Sequence, residues 1–199
     1  MAGFDVATAF SVKDKVVIVT GGGTGIGKVY SQRLCEGGAR VVIADRAGEP
    51  AAKTAADIVA KGGICISIPT DVSNVDSVQA MVDATLAAFG RIDGLVNNAS
   101  MMSVLERREW FKIDPAEWDR VMEVNLRGIF LCCRAVYPQM KAQGGGRIVN
   151  ISSSRFWNGS PNRLHYSTSK AGVIGLTRSL ASELGDDGIG VNAITPGFT

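Results

Sequence analysis

The sequence predicts an α/β fold, a single doubly wound parallel sheet with helices on both faces. Three observations predict it. Short β-branched runs alternate with helix-like stretches along the whole chain. The runs are continuously apolar, as strands buried on both faces require. Most of the helical stretches stop at glycine, which supplies a left-handed cap at little steric cost.

Strands are expected at 16–19, 41–44, 64–68, 95–96, 148–151 and 191–194. Helices are expected near 26–36, ending at Gly37-Gly38, and near 49–61, ending at Gly62-Gly63. Three more are expected near 75–89, ending at Gly90, near 115–143, ending at Gly144-Gly145-Gly146, and near 165–184, ending at Gly185. Linked units of this kind wind right-handed into an open sheet. No linker or composition break divides the chain, so one domain is expected over 1–199, with 1–12 as an N-terminal tail.

The 199 residues suffice for one sizeable core, and 46% hydrophobic with 20% charged content is ordinary for a globular protein. The net charge of +2 is dispersed rather than gathered in a basic block, so neither nucleic acid nor membrane is an expected partner. Cys35, Cys65, Cys132 and Cys133 lack metal-ligand spacing and read as reduced structural thiols, with no metal expected. Met1 to Lys15 lack a basic start followed by a long apolar run, so no signal peptide is expected, and no apolar run is long enough to span a bilayer. A soluble, cytoplasmic protein is expected.

The first strand runs into Thr20-Gly21-Gly22-Gly23-Thr24-Gly25-Ile26-Gly27 and then a helix. A glycine turn in that position lets backbone approach a pyrophosphate, and the helix start offers N–H groups and a positive dipole end. A merely flexible turn is the bland alternative. The spacing is not G-x-G-x-x-G, so position after the first buried strand carries the phosphate reading. Asp45 ends the second strand, about 20 positions beyond the turn, where a carboxylate can accept from adenosine ribose hydroxyls. It would repel a 2′-phosphate, favouring NAD over NADP, although Arg46 beside it could pair with that phosphate.

Tyr166 and Lys170 are four apart and share one helix face. A phenol of ordinary pKa about 10 is a poor acid–base catalyst at neutral pH, and a neighbouring ammonium should lower it. Many solvated helices carry such a pair, so the spacing acquires meaning only in context.

That context is an ordered set. Thr20 with Gly21-x-x-x-Gly25-x-Gly27, Asp71-Val72, Asn97-Asn98-Ala99, Asn125, Ser153, Tyr166-x-x-x-Lys170 and Pro196-Gly197 follow one another from about Lys15 to Thr199. In this order and spacing the chain resembles the short-chain dehydrogenase/reductase (SDR) family. The resemblance implies a dinucleotide-binding Rossmann fold and an oxidoreductase that passes hydride between NAD(H) and a small, apolar secondary alcohol or ketone. It further implies Tyr166 as general acid–base and Lys170 as its pKa-lowering neighbour and holder of the nicotinamide ribose. Ser153 would hydrogen-bond the substrate oxygen, and Asn125 would support a proton relay. Gly21, Thr24, Gly25, Ile26 and Gly27 match the cofactor turn. Asp45, Asp71, Val72, Asn98 and Ala99 match the adenosine surroundings, and Pro196 and Gly197 the segment at the nicotinamide. A homo-oligomer, dimer or tetramer, is implied as well.

Two departures stand out. Ser100 replaces a frequent glycine after Asn-Asn-Ala. The chain also closes at Thr199, so the fold is expected without the family's last strand and substrate lid. The alternative functional reading is a non-catalytic dinucleotide-binding protein. The substrate pocket is expected to draw on Met101, Met102 and Ser154-Arg155-Phe156-Trp157, with Arg155 able to receive an acidic group. His165 is expected in packing or at the surface, outside the catalytic set.

Overall fold

The computed structural model describes residues 10–197, so most of the expected 1–12 tail, and Thr199, lie outside the described residues. Six strands form one sheet: β1 (Val16–Thr20), β2 (Arg40–Asp45), β3 (Ile64–Pro69), β4 (Gly94–Asn97), β5 (Gly146–Ile151) and β6 (Ile189–Ile194). Their order is β3-β2-β1-β4-β5-β6, and every pairing is parallel. This is the doubly wound Rossmann arrangement, with its switch point between β1 and β4.

Successive side chains of a strand point to opposite faces, and β1 shows how that divides the core. Ile18 joins Val42, Leu95 and Ile148 on one face, beneath α3 (Val75–Phe89), α5 (Gly128–Ala142) and α6 (Leu164–Leu184). Val17 and Val19 join Val41 and Ile43 on the other, beneath α1 (Gly25–Glu36) and α2 (Gly48–Val59). Each such side chain contributes about 1.5–3 kcal/mol of burial. Val173, Thr177 and Leu184 on α6 are buried toward the sheet, with Leu180 packed against the same core.

Two helix boundaries differ from the sequence reading. The stretch near 115–143 is not one helix: α4 (Pro115–Met122) passes through a five-residue π-helical turn at Glu123–Arg127 before α5 begins. The wider turn carries Asn125, whose side chain bonds inward. After α6, Gly185 keeps a right-handed φ of −59° and a short 3-10 turn follows, so the left-handed glycine is Gly188 at φ 73°. A Cβ there would sit 2.9 Å from the Gly144 carbonyl oxygen, which explains why the tight approach falls at 188.

All four cysteines are free thiols, and Cys65, Cys132 and Cys133 are buried.

Candidate active site

The glycine turn is built from two close approaches. Gly21 leaves β1 at φ 62°, and a Cβ on it would lie 2.9 Å from Ala99 Cα. Gly27, in the first turn of α1, sits so near the Gly21 carbonyl oxygen that any Cβ would overlap it. The turn is stitched to the end of β4. Thr20 Oγ1 accepts from the backbone N–H groups of Asn98 (3.0 Å) and Ala99 (3.1 Å), and Asn98 Nδ2 donates to the Thr20 and Gly21 carbonyls at 3.1 and 3.0 Å. Thr24 makes no side-chain cap bond, and no acidic residue stands in the first turn of α1. The helix start therefore presents open N–H groups and an uncompensated dipole.

The turn faces a cleft of about 530 Å³ at the carboxyl ends of the strands. Gly21, Thr24, Ile26, Gly27, Asp45, Asp71, Val72, Asn98, Ala99, Ser153, Tyr166, Lys170, Pro196 and Gly197 all border it. Gly25 and Asn125 are not among its lining residues. Gly25 holds a φ of 53° with open space where a Cβ would point. Asn125 is fully buried; its Oδ1 accepts from Met101 N–H at 2.7 Å, while Nδ2 donates to Met101 O at 3.3 Å and Ser169 Oγ at 3.1 Å. It holds the loop that borders the cleft rather than the cleft itself.

At one end, Asp45 accepts from Gly23 N–H and Ala47 N–H, both at 2.9 Å, which leaves about half of a carboxylate's lone-pair sites for a ligand. Arg46 is exposed beside it. Asp71 accepts from the Ser73 hydroxyl (2.6 Å) and N–H (2.9 Å); those bonds, with Arg120 and Arg46 nearby, hold its carboxyl below the usual range despite burial.

At the other end stand Ser153, Tyr166 and Lys170. Lys170 is 2% exposed, and its ammonium donates to the Ile151 carbonyl at 2.8 Å. Burial lowers its pKa to about 8. Tyr166 departs from what the four-residue spacing suggests: its pKa is raised. Burial disfavours the phenolate more than the Ser153 hydroxyl and the Arg155 and Arg163 guanidiniums favour it. The Lys170 ammonium, turned to Ile151, lies 5.8 Å from the ring centroid.

The pocket residues sort differently from the sequence reading. Met101, Met102 and Arg155 border the cleft, whereas Ser154, Phe156 and Trp157 do not; the two aromatics pack on one another at 4.3 Å, and Trp157 is 71% exposed. His165 is buried, with Nε2 3.0 Å from Glu117 Oε1 on α4, away from the cleft. Sequence reasoning missed Arg163, which precedes α6 and borders the cleft. Its place three residues before Tyr166 was the available signal. It also missed the buried chain in which Asn97 donates to Asn150 (2.9 Å) and Asn150 to Thr177 (3.0 Å), binding β4, β5 and α6 behind the site.

These residues fit a dinucleotide. The cleft lies within the usual volume range of ligand sites, runs from Asp45 and Asp71 to Tyr166 and Lys170, and passes over an uncapped helix start.

Comparison with known proteins agrees with this geometry. Residues 15–199 match the family model described as short chain dehydrogenase. The chain is 44% identical over 187 residues to the dehydrogenase subunit BbsD of Thauera aromatica, covering 94% of this chain and 74% of that protein. It is 40% identical over 185 residues to a 3-oxoacyl-(acyl-carrier-protein) reductase of Synechocystis sp., covering 92% and 74% respectively. The crystal structure of 3-ketoacyl-(acyl-carrier-protein) reductase from Brucella melitensis complexed with NADH superimposes with a TM-score of 0.89 at 34% identity, over 94% of this chain and 76% of that one. With its sheet order, its glycine turn and these relatives in agreement, the chain belongs to the short-chain dehydrogenase family of oxidoreductases.

Proposed function

We propose that this protein is an NAD-dependent dehydrogenase or ketoreductase acting on a small secondary alcohol or ketone. The observation that carries the reading is one cleft with Asp45 and the glycine turn at one end and Ser153, Tyr166 and Lys170 at the other. A bound nicotinamide supplies or accepts the hydride. Tyr166 gives its phenolic proton to the carbonyl oxygen in reduction and removes it from the alcohol in oxidation. The Ser153 hydroxyl donates to the same oxygen and stabilises the charge that develops there. Lys170, held on Ile151 O, would hold the nicotinamide ribose and keep a positive charge near Tyr166. Asn125 fixes the Met101 backbone, and Met101 and Met102 shape an apolar wall for the substrate body. Asp45 selects NAD by meeting ribose hydroxyls and repelling a 2′-phosphate.

The test is a fluorescence titration with NADH and NADPH, followed by turnover of an alcohol and ketone panel. NADH should bind more tightly, and Asp45→Ser should narrow that preference. Tyr166→Phe should keep NADH binding while kcat falls about 10²- to 10⁴-fold. Turnover untouched by Tyr166→Phe would sink the acid–base assignment.

A further inference from the structure

Away from the cleft, two thiols from distant parts of the chain meet at the edge of the sheet. Cys35 is in the last turn of α1, and Cys65 is the second residue of β3, the edge strand. Cys65 is 7% exposed and belongs to the core beneath α1 and α2, and half-buried Cys35 packs against that same core. As a thiol, Cys35 donates to the carbonyl oxygen of Ile64, the residue next to Cys65, at 3.6 Å. Gly63 makes room for the approach: a Cβ there would stand 3.3 Å from Cys35 Cβ. Neither cysteine borders the cleft.

The pair is chemically unequal. A hydrogen bond from the Cys65 thiol, helped by the Val41 N–H, outweighs burial and lowers the Cys35 pKa. The same contact, together with burial and the facing Cys35 charge, pushes the Cys65 thiol up. The thiolate is the nucleophile, so Cys35, which solvent reaches, attacks first, and Cys65 stands behind it as the resolving thiol. What Cys35 does to Cys65 ends once the Cys35 sulfur is bonded to another sulfur and carries no charge. Cys132 and Cys133 on α5 are the internal contrast. Both are buried, and burial pushes both thiols up, Cys133 to about 12.

We infer that Cys35 and Cys65 are a reversible dithiol–disulfide site that reacts with a low-molecular-weight disulfide such as oxidised glutathione. The Cys35 thiolate attacks one sulfur of that disulfide, breaks its S–S bond and releases one glutathione thiolate, which takes up a proton. Cys65 then gives up its proton and attacks the Cys35 sulfur, expelling the second glutathione, which is protonated in turn. Two protein thiols are oxidised, and one glutathione disulfide is reduced to two thiols. The new bond ties the end of α1 to the sheet edge and closes a loop that contains β2 and α2. By constraining the unfolded chain, it stabilises the half of the fold that carries Asp45.

The test incubates the whole folded chain with oxidised glutathione and reads its intact mass, its linked peptides and its unfolding by urea. The mass should fall by two hydrogens, and a non-reducing digest should join the Cys35 and Cys65 peptides. Dithiothreitol should reverse both changes. In Cys65→Ser the reaction should stop at a glutathione adduct on Cys35, and in Cys35→Ser neither adduct nor link should form. The urea midpoint of the oxidised wild type should exceed that of the reduced protein. A wild type that stays reduced, keeps a lasting adduct on Cys35 or links any other pair of cysteines overturns the inference. So does a midpoint that does not rise on oxidation. These readouts are of thiols and unfolding, so they decide the site independently of whether the chain transfers hydride.

Discussion

Lys170 gives its ammonium to the Ile151 carbonyl at 2.8 Å while standing 5.8 Å from the Tyr166 ring centroid. The arrangement places a cation almost wholly out of water, joined to one neutral acceptor. Its pKa of about 8 follows from that desolvation.

The shift has a definite sign for stability. An ordinary lysine holds its proton to about pH 10.4, so between pH 8 and that value the unfolded chain binds a proton the folded chain has released. Stability from this group therefore rises as pH rises through the window, and below it a penalty of about 3 kcal/mol is constant. Urea unfolding at pH 7, 8, 9 and 10 should show the wild type gaining on Lys170→Met by up to about that amount. A gap between the two proteins that stays flat with pH would refute the account. Tyr166 works in the other direction, since a raised phenol pKa lets stability fall above about pH 10, but it is present in both proteins.

Gly27→Ala should be more damaging than Gly25→Ala, above all to NADH binding. At 27 the added methyl collides with the Gly21 carbonyl, and relieving it costs about 1–3 kcal/mol and moves the turn. At 25 the methyl meets open space, and the cost is the left-handed backbone, about 1–2 kcal/mol. Denaturation midpoints rank the two, and NADH titration should show at least a tenfold loss for Gly27→Ala.

Asn125→Ala removes a side chain that satisfies both polar groups of Met101 from a buried position. A loss of about 2–3 kcal/mol in stability is expected, because the Met101 N–H and carbonyl lose their partner. KM for the ketone should rise with little change in NADH affinity, since the loop Asn125 holds borders the substrate end. Equal losses in both affinities would show that the residue acts on the whole cleft.

The layout of the sheet was legible because parallel strands buried on both faces must be apolar without interruption, as Val16–Thr20 and Arg40–Asp45 largely are. The glycine turn was legible from its place after the first buried strand, and Tyr166-x-x-x-Lys170 from the ordered set of motifs that resembles the family. The π-helical turn at Asn125 left no trace in the local pattern, and the bond Asn125 makes to Met101 spans 24 positions. The same holds for Asn97 and Asn150, joined across 53 positions. The direction of the Tyr166 shift escaped for another reason: spacing names the ammonium but says nothing of the water removed, and removal of water prevails here. Phe156 and Trp157 were misplaced because the left-handed residues at 159 and 162, which set the loop's path, are only partly announced by their glycine and asparagine.

The strand order also governs how the molecule comes into being. β1 is paired on one side by β2, which follows within about two dozen residues, but on the other by β4, whose partners Gly94 to Asn97 are synthesised some 75 residues later. A nascent chain that has made only β1, β2 and β3 therefore carries an open edge along its most apolar strand, a template for wrong partners. The hydrogen bonds from Asn98 and Ala99 that fasten the glycine turn arrive with that same strand. Closing the vulnerable edge and completing the cofactor turn thus both wait on β4 and the two residues that follow it, and a fragment ending before residue 94 lacks both.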